Sequence, residues 1–102
     1  MIYFRFIVWL LPLLFLSTFC NAATWNIKKG SELSDIKRGI TLAQEYDTLY
    51  IHEGLYLESL IEIHKPLSII GVNNPVIDSE DGDEIFLVYA DDVTIKIGRA
   101  HV

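Results

Sequence analysis

The sequence predicts an all-β fold, a right-handed parallel β-helix of about two turns with a short N-terminal capping helix. Short alternating apolar segments fill residues 47–95, and glycine, proline or asparagine separates them. The segments also recur at a common offset of about 26 residues, within the range of solenoid repeats. Because a parallel coil stacks each strand on its counterpart one turn later, a common offset favours coiling over hairpins.

The offset predicts which residues stack on one another. Four apolar residues of the first turn should lie against four of the second, in the pairs Ile51–Ile77, Ile61–Leu87, Leu67–Val93 and Ile69–Ile95. At least three repeats are usually needed for a stable solenoid. We therefore expect this chain to be the N-terminal fragment of a longer protein.

Residues 1–22 have the pattern of a secretory signal peptide. Arg5 supplies a positive charge, an apolar run follows, and Ala22 is a small residue at the position that signal peptidase recognises. The apolar run is short for a membrane span. We therefore expect cleavage before Ala23, a periplasmic location, and membrane contact only through the signal segment. A retained anchor and a lipid-modified Cys20 are the alternatives.

Loss of this segment would leave an acidic chain without a thiol. The only cysteine and the only methionine are Cys20 and Met1, and without Arg5 seven basic residues face 14 acidic ones, a net charge near −7. Neither a disulfide nor a cysteine nucleophile would then be available. An acidic surface also lacks the electrostatic footprint of nucleic-acid binding, so we expect no nucleic-acid partner.

Residues 23–46 are predicted to form a lead-in strand, which contains Trp25, and then the capping helix. Helical spacing of apolar residues is seen at Leu33, Ile36, Ile40 and Ala43. Ser31 or Ser34 is the expected N-cap, with Asp35 in the first turn. An amphipathic helix directly before a coil of strands is suited to cover the open end of its core.

Residues 47–96 are predicted to form the first turns of the coil. Alternating strands are expected at residues 48–52, 60–64, 67–69, 76–78, 85–89 and 93–95. Pro66 should interrupt the strand ladder because proline has no amide hydrogen to donate.

Residues 97–102 match the translation of a common short-read sequencing adapter that ends in a stop codon. We therefore expect the native chain to continue beyond Lys96, and we expect Arg99 and His101 to carry no function. A natural basic tail is the alternative.

Six segments of the chain carry a resemblance to a known family. They are Ile-Thr-Leu-Ala at 40–43, Asp-Thr-Leu-Tyr-Ile at 47–51, Gly-Leu-Tyr-Leu-Glu at 54–58, Lys-Pro-Leu-Ser-Ile-Ile-Gly at 65–71, Pro-Val-Ile-Asp at 75–78 and Asp-Val-Thr-Ile at 92–95. Over roughly residues 29–96 the chain resembles the N-terminal part of the NosD family of nitrous oxide reductase maturation proteins, which are periplasmic, copper-binding β-helix proteins.

The resemblance implies an exported, non-catalytic scaffold that assists copper-site maturation of nitrous oxide reductase, with that enzyme and an ABC-type transporter as partners. The chain departs from the pattern at Tyr46, where glycine is usual. We expect this residue to alter the turn before the first strand, because tyrosine tolerates positive φ poorly.

Two other classes remain open, because the same motifs begin many pectin lyase-like β-helix proteins. The main alternative is the N-terminal part of a secreted polysaccharide lyase or hydrolase whose catalytic turns are missing here. A surface adhesin built of repeats is the third class. Fold alone does not decide between an enzyme and a scaffold.

No catalytic, cofactor-binding or metal-binding residue is predicted in this segment, and copper handling is left to the full-length protein. Gly54–Glu58 is interpreted as architectural: glycine makes the turn, Tyr56 packs and Glu58 anchors a loop. His52 and His64 should point outward on different strands, whereas a metal site needs convergent ligands.

The acidic residues are also interpreted as non-catalytic. Asp78–Glu84 lacks the spacing of an EF-hand loop and is expected to be a solvated loop instead of a calcium site. A hydrolytic pair would require two of the carboxyl groups of Glu53, Glu58 and Glu62 to lie on one face of the coil. Acids stacked on consecutive turns are absent from the sequence pattern.

Overall fold

The computed structural model describes residues 22–101, which form nine short strands and one short helix. The strands are β1 (Thr24–Ile27), β2 (Thr48–Ile51), β3 (Leu55–Leu57), β4 (Ile61–Ile63), β5 (Ser68–Gly71), β6 (Val76–Asp78), β7 (Phe86–Val88), β8 (Thr94–Lys96) and β9 (Arg99–His101). The helix α1 (Ile36–Leu42) lies between β1 and β2. Apart from Ala22, the predicted signal peptide lies outside the described residues.

All strand pairs in this part of the chain are parallel, and the strands form three sheets. Sheet A has the order β1-β2-β5-β8, sheet B has β3-β6-β9, and sheet C has β4-β7. The chain visits sheets A, B and C in rotation, so the strands form a solenoid-like coil of about three turns. The prediction of a mostly β, parallel coil with one short helix is confirmed at this level.

The predicted number of two turns was too low because β1, β3 and β9 all belong to the coil, and none of them was counted among its predicted strands. The lead-in segment is a full member of sheet A, because β1 pairs with β2 from Thr24 to Ile27. The segment Leu55–Leu57 is also a strand, although the sequence predicted only a turn at Gly54 and a packed Tyr56 in this region. Its two leucines point outward and are 53% and 50% exposed, so only Tyr56 supplies an inward apolar side chain.

Part of the predicted stacking is confirmed. Ile69 pairs with Ile95 in sheet A. Leu67 and Val93 directly precede this paired segment at the same offset, and the N–H of Thr94 donates to the carbonyl of Leu67 at 2.9 Å.

The other two predicted stacks are wrong. Ile51 pairs with Gly71, not with Ile77, which lies in sheet B. Ile61 pairs with Phe86, one residue before the predicted Leu87.

The cause is that successive turns differ in length. Thr48 pairs with Ser68, 20 residues later, whereas Ser68 pairs with Thr94, 26 residues later. Most of the difference arises between sheets B and C: three residues connect β3 to β4, but seven connect β6 to β7. A single offset of 26 therefore holds only across the longer turn.

The core lies inside the coil and combines the inward residues of the three sheets with buried residues of α1 and of the connections, such as Ile36 and Ile85. Alternation places Leu49 and Ile51 of β2 inward, and both are fully buried. Ile61 and Ile63 of β4 are likewise buried, with Glu62 outward between them. Period-2 alternation therefore determines which face of each strand joins the core.

Helix α1 packs against β1, β2 and β4, at the end of the coil where the strands begin. It buries Ile36, Gly39 and Ile40. A Cβ on Gly39 would lie 2.6 Å from Cδ1 of Ile27 and 3.1 Å from Cδ2 of Leu49. The glycine lowers helix propensity, but it allows the helix backbone to approach the strands closely.

The predicted serine caps are not those of α1. Asp35 is the N-cap residue, and its side chain makes no capping hydrogen bond. The hydroxyl of Ser31 donates within the preceding loop, where it lies 2.8 Å from the carbonyl of Lys28.

The turn at Tyr46 and the segment that follows Lys96 were also subjects of prediction. Tyr46 keeps positive φ, at 67°, so the turn retains the backbone shape that usually needs glycine. Arg99–His101 form β9 and pair with β6 in sheet B. The adapter origin of residues 97–102 stays a prediction.

Candidate functional site

The most constrained polar group in the described part of the chain is the carboxylate of Asp47, just before β2. The residue is 3% exposed. Its Oδ1 accepts a hydrogen bond from the N–H of Ala23 at 2.8 Å. Its Oδ2 accepts from the indole N–H of Trp25 at 2.9 Å and from the N–H of Gln44 at 2.8 Å. The carboxylate therefore joins β1 to the turn between α1 and β2.

These donors favour the ionised form of Asp47. The N–H groups of Ala23 and Gln44 and then the Trp25 indole lower its pKa below 3.8, against the opposing effect of burial. Lys65 adds a smaller effect in the same direction, and its Nζ donates to the carbonyl of Ala43. The charge and the donors thus stabilise one another at neutral pH.

Gly54 and Tyr56 have the architectural roles that the sequence predicts. Gly54 has φ 145°, and a Cβ there would lie 2.8 Å from Cγ of Lys29. The fully buried Tyr56 places its hydroxyl 2.8 Å from the carbonyl oxygen of His52 and 3.2 Å from that of Ile27. Burial, and secondly the charge of Glu58, raise the pKa of Tyr56.

Glu58 anchors the first turn of the helix, whereas the sequence predicted that it would anchor a loop. Its Oε2 accepts from the N–H of Ile36 at 2.8 Å, and its Oε1 accepts from the N–H of Lys37 at 3.0 Å. Both donors belong to the first turn of α1, where N–H groups have no partner within the helix. A carboxylate from the first turn of the coil thus supplies the cap that the local sequence lacks.

The structure separates the two candidate histidines. Nε2 of His52 lies 2.9 Å from Oδ1 of Asn26, across sheet A. His64 follows β4 of sheet C, where its Nε2 lies 2.8 Å from Oε1 of Glu62. Within residues 22–101, no three His, Cys, Asp or Glu side chains lie close enough together to hold a metal ion.

His64 belongs to an exposed cluster that sequence reasoning missed. Its ring stacks on that of Tyr89 with centroids 4.9 Å apart and an interplanar angle of 10°. The two rings follow β4 and β7, at equivalent positions of successive turns. Tyr89 is 61% exposed, and the Glu62 side chain is 55% exposed. We call Glu62, His64 and Tyr89 the outer cluster.

Both sites left weak signals in the sequence. An aspartate comes shortly before a strand that contains threonine at two places in the sequence, Asp47 and Asp92. This pattern indicates a turn before the strand, but it does not show which groups the carboxylate binds. The 25-residue spacing of His64 and Tyr89 equals the offset of the paired strands β4 and β7. That offset is evident only once the pairing of sheet C is known.

Residues 80–84 are exposed and lie in the connection between β6 and β7. The N–H of Glu80 donates to Oδ1 of Asp78 at 2.9 Å, and the N–H of Asp81 donates to the carbonyl of Ser79 at 2.6 Å. Glu80 and Gly82 both have positive φ, as in tight turns. The carboxylate of Asp78 therefore supports the turn.

Fold and contacts together define a parallel β-solenoid protein with a buried anchoring carboxylate and one exposed polar and aromatic cluster. No family model, curated protein or solved structure matches the chain. Among residues 22–101, no helix has the length and apolar character needed to cross a membrane.

Proposed function

We propose that this chain is the N-terminal part of an exported, right-handed parallel β-helix scaffold that assists copper-site maturation of nitrous oxide reductase. The location proposed is the periplasm, reached through a cleaved signal peptide. The proposed partners are the reductase and an ABC-type transporter. The chain itself is assigned no catalysis: its role is to begin and cap the coil, so that later turns present a binding face.

The observation that carries this proposal is the position of the family-like segments in the coil. Residues 47–51 and 65–71 contain β2 and β5, and residues 92–95 include the first two residues of β8. These are successive strands of sheet A. Residues 54–58 and 75–78 contain β3 and β6, successive strands of sheet B. Motifs that resemble one family therefore recur at equivalent positions of the coil. A right-handed crossover is the expected hand for parallel strands.

The test uses the intact gene at its own locus. The region after the codon for Lys96 is sequenced, and the complete gene is then deleted from the host. We expect further β-helix turns and a neighbouring reductase gene, and we expect the reductase purified from the deletion strain to lack copper. A fully copper-loaded and active reductase in that strain would contradict the proposal.

The outer cluster favours a second candidate, a carbohydrate-active enzyme on the same scaffold. Exposed aromatic rings provide flat apolar surfaces for sugar rings, and a carboxylate accepts hydrogen bonds from hydroxyl groups. His64, Tyr89 and Glu62 bring both features together on one face. The full-length protein would then release reducing ends or unsaturated products from acidic polysaccharides. Later turns would also carry stacked acids with Arg or Lys along one groove.

A further inference from the structure

The backbone nitrogen of Ala23 bonds a buried carboxylate and also lies at the predicted signal-peptide cleavage site. It donates to Oδ1 of Asp47 at 2.8 Å. It is also the nitrogen that becomes the N-terminus if signal peptidase cuts where the sequence predicts. Ala22 and Ala23 are both exposed.

We propose that cleavage of the Ala22–Ala23 bond creates an α-ammonium group that pairs with the Asp47 carboxylate, so that processing completes the anchor of β1. In the cleavage, water adds across the peptide bond. The C–N bond breaks, Ala22 leaves as a carboxylate, and the Ala23 nitrogen takes up a proton at neutral pH. The catalyst is a membrane-bound signal peptidase.

The carboxylate has the capacity for such a partner. A carboxylate offers about four acceptor positions, and three are occupied by the donors from Ala23, Trp25 and Gln44. Among the described residues, Oδ1 accepts from Ala23 alone. An ammonium group at the same nitrogen therefore keeps the existing bond and adds two N–H donors, and the second acceptor position of Oδ1 has no partner among residues 22–101.

Charge and burial strengthen the pair. Before cleavage, the Ala23 nitrogen is a neutral amide with a single N–H group. After cleavage, the bond joins two ions, and charge-assisted hydrogen bonds are about twice as strong as neutral ones. Asp47 is 3% exposed while Ala23 is exposed, so the pair is partly buried and salt screens it less than a pair of two exposed ions. The nearby cation is Lys65, whose Nζ already donates to the carbonyl of Ala43.

Strand β1 gains most from this pairing. The N–H of Thr48 donates to the carbonyl of Ala23 at 3.0 Å, which is the first bond of the ladder between β1 and β2.

The ion pair between Ala23 and Asp47 depends on export, which the proposed function includes, but it does not depend on copper. Failure of the copper proposal would therefore leave this inference unaffected.

The experiment starts with the complete 102-residue chain, expressed with its own N-terminus in a Gram-negative host and purified from the periplasm. Intact mass should show a chain that begins at Ala23. The α-amine is then acylated near neutral pH, in native buffer and in urea. Because only the neutral amine reacts, a pKa raised by one unit lowers the native rate about tenfold.

Two variants show whether slow acylation of the Ala23 amine is due to its pairing with Asp47 or only to burial of the amine. Asp47→Asn should bring the native acylation rate close to the rate in urea, whereas Glu45→Gln, which removes a nearby exposed acid, should leave the protection intact. A chain that begins elsewhere, or an Ala23 amine that reacts equally fast in native buffer and in urea, would overturn the inference.

A second measurement does not require the variant to fold. The unmodified wild-type α-amine is titrated by NMR, through the methyl resonance of ¹³C-labelled Ala23. We expect its pKa to be higher in native buffer than in urea. Equal pKa values in the two conditions would also overturn the inference.

Discussion

At the scale of single residues, Tyr46 and Asp47 show how the turn before β2 is built. The N–H of Tyr46 donates to the carbonyl of Pro66 at 2.7 Å, which ties this turn to the one that precedes β5. Tyr46 adopts φ 67° to do so. The next residue, Asp47, then directs its carboxylate toward β1. A strained residue and a buried charge thus occupy adjacent positions.

Replacement of Tyr46 by glycine should stabilise the fold. Left-handed backbone costs an L-residue about 1 to 2 kcal/mol, and Tyr46 is 62% exposed, so little packing is lost. We expect Tyr46→Gly to raise the free energy of unfolding by up to about 1 kcal/mol, measured by urea denaturation. Glu45→Gly, at the neighbouring position, should lower it. A loss of stability in Tyr46→Gly as large as that in Glu45→Gly would contradict the argument.

Asp47 should make the fold sensitive to acid. Its folded pKa lies below the ordinary 3.8, so its contribution to stability is complete above the unfolded pKa and is lost as pH falls through the folded pKa. Asp47→Asn should flatten the dependence of unfolding free energy on pH below about pH 5. At neutral pH it should also cost about 2 kcal/mol, because buried donors lose a charged acceptor.

Denaturation midpoints measured from neutral to acid pH test this expectation. Glu45→Gln is the control, since it removes a nearby exposed carboxylate. A wild-type stability that does not change in acid, or an Asp47→Asn chain with the same acid dependence as wild type, would show that Asp47 is not the responsible group.

At the scale of elements, helix α1 depends on the coil for both its position and its cap. Gly39 allows close approach to β1 and β2, while Glu58, which follows β3, accepts hydrogen bonds from the first helical turn. A helix of seven residues is too short to be stable alone. Its stability therefore comes from contacts that the first turn of strands provides.

Gly39→Ala should destabilise the protein, although alanine is the better helix former. The added methyl would lie 2.6 Å from Cδ1 of the fully buried Ile27. Overpacking costs about 1 to 3 kcal/mol, whereas the gain in helix propensity is about 1 kcal/mol. We expect a net loss of about 1 kcal/mol in chemical denaturation.

A double-mutant cycle identifies the cause of that loss. Ile27→Val removes the Cδ1 atom that the new methyl would contact, so the double variant should be more stable than the sum of the single losses predicts. Strict additivity of the two changes would mean that steric overlap between Gly39→Ala and Ile27 is not responsible.

Glu58→Ala should weaken the start of α1. Two N–H groups, of Ile36 and Lys37, would lose their acceptors, and loss of a helix cap costs about 1 kcal/mol. Native-state hydrogen exchange should show faster exchange at these two amides. Glu53→Ala, which removes an exposed acid before β3, is the control. Unchanged exchange at both amides would contradict the capping role.

At the scale of the whole molecule, the coil accommodates turns of unequal length without changing its sheets. The seven-residue connection between β6 and β7 replaces a three-residue connection in the turn before it. The extra residues lie in the exposed acidic loop, while Ser79 and Ile85 at its ends stay buried. Long surface loops are tolerated because the entropy of closure rises slowly with length.

Deletion of residues 80–83 should therefore be tolerated. The deletion leaves three residues between β6 and β7, the same number as between β3 and β4. It also keeps Glu84 and Ile85, whose carbonyls accept from the N–H groups of Leu60 and Ile61. We expect an unchanged strand signal in circular dichroism and a change in unfolding free energy below about 1 kcal/mol.

A four-residue deletion elsewhere is the control for that prediction. Deletion of residues 67–70 removes buried Leu67 and Ile69 together with most of β5, and cooperative unfolding should disappear. Loss of cooperative unfolding after deletion of residues 80–83 would mean that the acidic loop takes part in the core.

The sequence by itself determined the class of structure and the inward face of several strands. Alternation along a strand has a period of two, so Leu49, Ile51, Ile61 and Ile63 could be assigned to the core without knowledge of any partner. Helical spacing likewise indicated the short helix, although its ends and its cap were misplaced. These properties depend on residues close together in the chain.

Only the tertiary structure decided which residues meet between turns. The partner of Ile51, the cap from Glu58, the stack of His64 on Tyr89 and the hydrogen bonds of Asp47 with Ala23 and Trp25 each join residues about 20 or more positions apart. Such pairings depend on the lengths and paths of all the intervening loops, which local periodicity does not encode. The physical reason is that burial selects a face locally, whereas register is set by the closure of a complete turn.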